Sequence, residues 1–478
     1  MIMEGFMDTL NKIDGFVWGI PMLVFLVGTG LLMTILLKGI QFRRFGMAMK
    51  ETLGRAFKKS EDDAEGSLTP FQAMTTALAG TVGTGNVAGV AGAIALGGPG
   101  AVFWMWISAL FGLCTKFCEV TLAVHYRETN EKNEFVGGPM YYIKNGMGKS
   151  WAWLGAIFAL FAGFASFGIG NMTQINTIAT SIGSVVKNFS PDFSDSSLKI
   201  VYLVVGLAVA ALVALVLFGG LKRIGSVTEK LVPGMAIVYI VSALIVVFSN
   251  IAQIGPTFAH IFECAFNPSA IGGGLVGTSI MMTISKGVGR GVFSNEAGLG
   301  SAPLAHASAN TDHPVRQGFF GIFEVFMDTI VICTMTALAI LMSGAAENYY
   351  GIGAGTDLTI EAFAGTLGGK AAALIITLCI TLFAFSTILS WSLYGSRSFG
   401  YLGGEKLVTV YKAIYVVFVV VGATMTLDAA WIIADILNAL MAVPNLIGVL
   451  VLSPVMIKLV KDFFSDNPQM GVEKRRRG

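Results

Sequence analysis

The chain has 478 residues, of which 54% are hydrophobic and 13% charged, with a formal net charge of +2 and a mean hydropathy of +0.73. Soluble domains carry about a quarter charged residues, so this is the composition of a polytopic membrane protein, and the near-neutral balance offers nothing to a nucleic acid. Five cysteines, Cys114, Cys118, Cys264, Cys333 and Cys379, show no CxxC spacing, which argues against a zinc site or a disulfide framework and leaves them as small apolar packers.

Eleven apolar stretches of membrane length follow one another, near residues 16–37, 69–94, 100–124, 151–186, 200–218, 226–249, 271–291, 317–343, 370–395, 407–425 and 429–460. The first is too long for the apolar region of a secretory signal and has no basic lead-in. It counts as an extra span before spans 1 to 10. The boundaries expected are 1–66 for the extra span and a basic linker, 67–250 and 251–462 for two five-span units, and 463–478 for a basic tail ending Lys474-Arg475-Arg476-Arg477. With these crossings, 26 of the 31 Lys and Arg fall on the side of the linker and tail. By the positive-inside rule that side is cytoplasmic and the amino terminus lies outside, the arrangement of a multi-pass cell (inner) membrane protein. The tail reads as a topology and lipid-headgroup anchor.

Span 1 is the most informative. No residue from Ser67 to Thr115 is charged, and Thr69-Pro70-Phe71-Gln72 combines an N-cap hydroxyl, a first-turn proline and a glutamine three residues after the cap. The middle, Ala79-Gly80-Thr81-Val82-Gly83-Thr84-Gly85-Asn86, is a poor helix, since each glycine costs about 1 kcal/mol relative to alanine. Backbone freed inside a bilayer must find partners or line a cavity, so the pattern predicts two half-helices meeting at the midplane. The first ends in carbonyls that suit a cation, the second begins with N–H groups that suit a carboxylate. A zwitterion with a monovalent cation fits this break, the usual place where a transporter holds its solute.

In span 3, Asn171, Gln174, Thr177 and Ser181 share a face, and Gln174 can contact a substrate or hold the span by an interhelical hydrogen bond. Span 6 has several weak points: Gly272-Gly273-Gly274, Gly277-Thr278-Ser279 and Gly287-Val288-Gly289-Arg290-Gly291. A break close to Met281–Ser285 is expected, with Thr283 or Ser285 facing the ligand. Lys286, Arg290 and Glu296 are expected in a cytoplasmic gate or loop ion network. Intramembrane charges raise the question of proton coupling. Lys116 and Glu119 are expected to neutralise each other, Glu324 and Asp328 lie four apart in span 7, Asp435 and Asn438 three apart in span 10, and Asp328 is the acid without an evident local base. The histidines, His125, His260, His306 and His313, are expected to be solvated. No enzyme motif survives: Gly146-Met147-Gly148-Lys149-Ser150 lacks the first glycine of a phosphate loop, where Ile143 stands, and neither HExxH nor GxSxG occurs.

Three long segments, Gly83-Thr84-Gly85-Asn86-Val87-Ala88-Gly89-Val90-Ala91, the run from Gly97-Gly98-Pro99-Gly100 to Phe111-Gly112, and the run from Arg290-Gly291-Val292-Phe293 to Ala302-Pro303, resemble the signatures of the alanine or glycine:cation symporter family, the sodium:alanine symporters. The resemblance implies sodium- or proton-driven uptake of alanine, glycine or similar amino acids, with Na+ as the co-transported ion and no organic cofactor. It also implies the leucine-transporter type of fold: all-α, eleven transmembrane helices, one extra N-terminal helix before a 5+5 inverted-repeat core with spans 1 and 6 broken. Val82-Gly83-Thr84-Gly85-Asn86 resembles the unwound first helix of the neurotransmitter:sodium symporter fold. By that match the N–H groups of Thr84 and Gly85, beside Asn86, receive the substrate carboxylate. The carbonyls of Ala79 and Val82 then face Na+, joined by the Phe383 carbonyl and the Ser386 and Thr387 hydroxyls, which suits a hard cation. The hydroxyls equally fit back-bonding within their own helix. A second sodium site near Thr81 and Asn86 is the further option that the resemblance leaves open. Trp391, one turn beyond Thr387, either shortens the pocket or packs. The expected partners are L-alanine or glycine and the lipid bilayer, with the protein acting as a monomer. A passive channel is the rival from another class.

Overall fold

A computed structural model describes residues 2–56, 67–267, 279–425 and 428–466, and nearly all of them are helical. Part of the basic linker, the weak points 272–274 and 277–278 and the terminal Lys474–Arg477 cluster lie outside the described residues. Among those described, eight helices are long and apolar enough to cross a membrane, and a ninth span is the bent pair Pro70–Thr81 and Thr84–Gly97, which turns by 57°.

Span 1 starts as its residues dictate. The Thr69 hydroxyl accepts from the Gln72 N–H at 3.1 Å, the Gln72 side chain accepts from the Thr69 N–H at 3.2 Å, and Pro70 occupies the first turn. The extra span is preceded by a second helix: Ile2–Val17 and Ile20–Leu36 join at Trp18-Gly19. Gly369–Thr424 runs for 56 residues, about 84 Å at 1.5 Å per residue, against a hydrocarbon core of about 30 Å. It is a hairpin. Gly403 and Gly404 (φ 68°) leave helical geometry, Val408 comes back against Gly400, and the Tyr415 hydroxyl donates to the Ile388 carbonyl at 2.9 Å. Spans 8 and 9 are therefore antiparallel neighbours.

Spans 3 and 7 each contain a π-helical turn in mid-span, Gly168–Met172 and Phe326–Cys333. Such turns leave carbonyls outside the regular ladder. The Thr173 hydroxyl and the Gln174 amide both donate to the Ile169 carbonyl, at 2.9 and 3.0 Å.

Span 6 corrects the sequence reading. Helix Ile280–Asn295 passes unbroken through Met281–Ser285 and Gly287–Gly291, and stops only at Glu296, which is left-handed (φ 54°). An irregular stretch holding Gly298 (φ 95°) and Gly300 (φ 81°) follows, and Pro303–His306 resumes the helix. Two of the upstream glycines, Gly287 and Gly291, serve contact instead of unwinding. A Cβ on Gly287 would lie 2.4 Å from the Ala101 carbonyl oxygen, and one on Gly291 would lie 2.3 Å from the Ser108 hydroxyl, so they let spans 6 and 2 approach closely.

The buried charges are also paired differently. Lys116 binds Glu324 at 3.2 Å, not Glu119, and both side chains are fully buried. His306, expected in solvent, is buried as well, with Nε2 3.0 Å from Glu324 and Nδ1 2.9 Å from the Gln317 amide. Gln317 in turn donates to the Pro70 carbonyl, which ties the cluster to the start of span 1. Glu119 accepts from the Asn445 amide, and Asn445 also accepts from the Tyr142 hydroxyl and donates to the Gly298 carbonyl. The residues sought on adjacent turns were each closer to a neighbouring span.

Removing one partner of a fully buried pair leaves an uncompensated charge, at about 3–5 kcal/mol. Lys116→Met is expected to lower the thermal unfolding midpoint sharply in detergent, and adding Glu324→Gln to recover part of the loss. Unchanged melting in the single variant would mean that the pair carries no such strain.

Candidate substrate and cation site

The break in span 1 is built from residues that no regular helix accommodates. Val82 ends the first half-helix in an extended conformation (φ −76°, ψ 92°), Gly83 is extended too, and Thr84–Asn86 form a single 3-10 turn before Ala88–Gly97. The Gly83 N–H donates to Asn86 Oδ1 at 2.9 Å, and the Asn86 N–H returns to the Gly83 carbonyl at 3.3 Å. The N–H groups of Thr84 and Gly85 and the carbonyl of Val82 take no protein partner among the described residues.

Span 8 packs directly on this break. A Cβ on Gly83 would lie 2.8 Å from the Thr387 hydroxyl and one on Gly80 2.9 Å from that of Ser390, so both glycines are needed for the approach. The Thr387 hydroxyl is 3.0 Å from the Ala79 carbonyl and 3.0 Å from that of Phe383; the Ser386 hydroxyl is 3.4 and 2.8 Å from the same two oxygens. Ala79, Phe383, Ser386 and Thr387 are all buried. Four of the five oxygens named as cation ligands thus come together between two spans; nothing shown brings the fifth, the Val82 carbonyl, to them. Back-bonding to Phe383 is present as well, and the same hydroxyls reach across to span 1.

The substrate candidates separate into two groups. Thr84 and Gln174 meet, with Gly85 next in the chain to Thr84: the Thr84 hydroxyl donates to Gln174 Oε1 at 3.3 Å, and that oxygen lies 3.8 Å from where a Gly83 Cβ would stand. Trp391 is on the same side, its ring pressed on Gly170 of the π-helical turn. Its indole N–H donates to Glu296 at 3.2 Å, and Glu296 also accepts from the Ser301 hydroxyl. Asn86 is at the break, but its side chain is taken up by the framework. Its amide donates to the Asp328 carboxylate at 2.6 Å and to the Asp328 carbonyl at 3.2 Å, while its own carbonyl oxygen holds Gly83. Asn171 likewise donates to the Tyr415 carbonyl.

Thr283 and Ser285 lie elsewhere. Thr283 donates to the Gly97 carbonyl at 3.0 Å, at the far end of span 1, and Ser285 lines a separate chamber with Lys286 and Arg290. The gate network expected of Lys286, Arg290 and Glu296 is therefore not formed. The two cations share the chamber with Asp14 and Asp435, at the end of the bundle where the first span begins, whereas Glu296 is buried under Trp391. The topology count had placed both of these charges on its basic side.

Sequence reasoning missed Phe293 and the parts that Glu296 and Asp328 play here. Phe293 places its ring 3.4 Å from where a Gly85 Cβ would be, Glu296 anchors Trp391, and Asp328 organises the break through Asn86, Ser294 at 3.2 Å and Thr329 at 2.7 Å. Asp328 was singled out as an acid without a base, and no base contacts it among the described residues; its donors are all neutral. Phe293 and Glu296 stood inside a recognised segment, but nothing in their spacing signalled which way they face.

The sodium:alanine symporter family model matches residues 3–476 of the chain. A sodium/alanine symporter, AgcS, of Methanococcus maripaludis is 45% identical over 96% of this chain and 97% of its own length. A probable sodium/glutamine symporter, GlnT, of Bacillus subtilis is 38% identical over 93% of this chain and 88% of its own. Among solved structures, a manganese transporter of Eremococcus coleocola is similar in fold alone, with a TM-score of 0.51 at 13% identity, covering 81% of this chain and 80% of that one. A broken, hydroxyl-lined membrane span and a match along almost the whole length lead to one conclusion: this multi-span membrane protein belongs to the sodium:alanine symporter family, transporters that carry amino acids with a cation and not enzymes.

Proposed function

We propose that the chain couples Na+ entry to the uptake of small neutral amino acids, alanine and glycine and with them serine, by alternating access. The convergence of the Ala79 and Phe383 carbonyls with the Ser386 and Thr387 hydroxyls carries this reading. A cation there would be held by oxygens from both spans and would keep the break in shape. The N–H groups of Thr84 and Gly85, without a protein partner among the described residues, then receive the carboxylate of the substrate, with Gln174 beside Thr84. Phe293 and Trp391 limit the side chain to a small one. Binding of the cation raises the affinity for the amino acid, and by linkage the amino acid raises that for the cation by the same factor.

The architecture proposed with this function is eleven crossings: the extra span, the broken span 1, both arms of the spans 8 and 9 hairpin, and Ile280–Asn295 with the rest. Spans 1–5 and 6–10 then form inverted repeats, and the interruptions at 82–87 and 296–302 support that pairing. The excess of Lys and Arg at the linker end supports an outer amino terminus and a cytoplasmic carboxyl tail. Proton coupling is the second reading, favoured by Asp328, fully buried with neutral donors only.

The decisive measurement is labelled alanine uptake into proteoliposomes under imposed sodium or proton gradients, with glycine and serine as competitors. Sodium-driven accumulation is expected. Accumulation driven by protons alone would select the second reading, and equilibration indifferent to either gradient would indicate a channel. Ser386→Ala combined with Thr387→Ala is expected to remove two of five ligands and lower apparent sodium affinity by about tenfold or more, with little change in melting; normal coupling in that variant would refute the cation site. Gly85→Leu is expected to abolish alanine binding, since its side chain would enter the carboxylate's approach and meet Phe293. Wild-type affinity there would count against the pocket.

A further inference from the structure

A polar chamber lies outside the central break. Its cavity of about 620 Å³ is lined by Asp14 and Trp18 at the junction of the first two helices, by Ser285, Lys286, Arg290 and Phe293 on span 6, and by Asp435 on span 10. The Trp18 indole donates to the Asp435 carbonyl at 3.3 Å and so fixes the extra N-terminal helices to span 10.

The charges in this chamber act on one another through space, Lys286 and Arg290 on Asp14 and Arg290 on Asp435, but no salt bridge joins them among the described residues. Among the described residues, neither Lys286 nor Arg290 has a carboxylate within salt-bridge distance, and Arg290 instead sits 5.4 Å over the Phe293 ring. Asp14 Oδ1 and Asp435 Oδ1 are both shielded from solvent and accept no hydrogen bond. Two cations and two carboxylates thus face one cavity with unused valence. Burying a carboxylate oxygen without a donor is costly, and such oxygens mark a place where a partner belongs. A lone anion would satisfy Lys286 and Arg290 and leave the two acids, while a lone cation would do the reverse. A zwitterion satisfies both.

We infer that this chamber is an outer docking site for a small zwitterionic α-amino acid, its carboxylate met by Lys286 and Arg290 and its ammonium by Asp14 and Asp435. The inference rests on the proposed orientation, with this end outside. Phe293 is the partition: its ring borders the chamber on one side and lies against Gly85 on the other. Substrate held in the chamber is one aromatic side chain away from the broken span. The extra N-terminal helices, which the central site does not use, acquire a role by contributing Asp14.

Equilibrium binding of labelled L-alanine to the purified full-length protein tests this, with and without sodium. Two components are expected in the wild type: a sodium-dependent one at the break and a weaker, sodium-independent one in the chamber. Arg290→Gln and, separately, Asp14→Asn should each weaken the sodium-independent component by about tenfold, as expected for loss of one charge-assisted hydrogen bond, and leave the other intact. Gly85→Leu should do the opposite. L-lactate and L-alanine amide, each carrying one of the two charges, should displace the weak component poorly compared with unlabelled alanine. A single sodium-dependent component in the wild type, a weak component unmoved by both variants, or displacement by lactate as effective as by alanine would each overturn the chamber as a zwitterion site. Absence of the sodium-dependent component would instead strike at the proposed symport and leave the chamber to be judged by the other component.

Discussion

Backbone that leaves a helix inside hydrocarbon must be satisfied by something other than water, and the molecule is arranged around that requirement. Span 1 gives up its ladder at Val82–Asn86, and neighbouring spans supply the replacements. Span 8 brings the Ser386 and Thr387 hydroxyls to the Ala79 carbonyl, while Asn86 caps Gly83 from within and is itself held by Asp328 of span 7. Among the described residues, the N–H groups of Thr84 and Gly85 and the carbonyl of Val82 take no protein partner.

The same economy governs the rest of the bundle. π-helical turns in spans 3 and 7 sit at the depth of the break, and the residues just after or within them, Gln174 and Asp328, reach it. The interruption of span 6 falls at 296–302, where left-handed Glu296 turns its carboxylate to Trp391 and Ser301. Deep charges are matched across spans: Lys116 with Glu324 and His306, Glu119 with Asn445. A buried ion pair is a poor source of net stability but penalises any arrangement that separates it, so these contacts specify one packing of spans 2, 7 and 10 around the loop that follows span 6.

Much of the fold was legible beforehand because a bilayer makes hydrophobic length and charge asymmetry strong signals. Most of the spans, the start at Thr69 and the break in the middle of span 1 were readable from residue type. Glycine was a less reliable guide. In span 1 it marks unwinding, yet Gly287 and Gly291 in span 6 mark close packing on span 2, and a linear pattern does not separate the two uses. Pairings between neighbours in sequence failed for a related reason. Lys116 and Glu119 share a helix face, but the partner that decides is the one on the facing span.

What the residues determined by themselves is a broken, uncharged span with opposed dipoles, since helix propensity and the demand for paired backbone in lipid are local properties. Which oxygens converge, that Asn86 turns to Asp328 while Gln174 turns to Thr84, that span 6 breaks after Asn295, and that Asp14 shares a chamber with Arg290 were decided only by tertiary structure. Those relations join atoms from four or more helices, and the rotation of each helix about its axis is set by the packing of all its neighbours together.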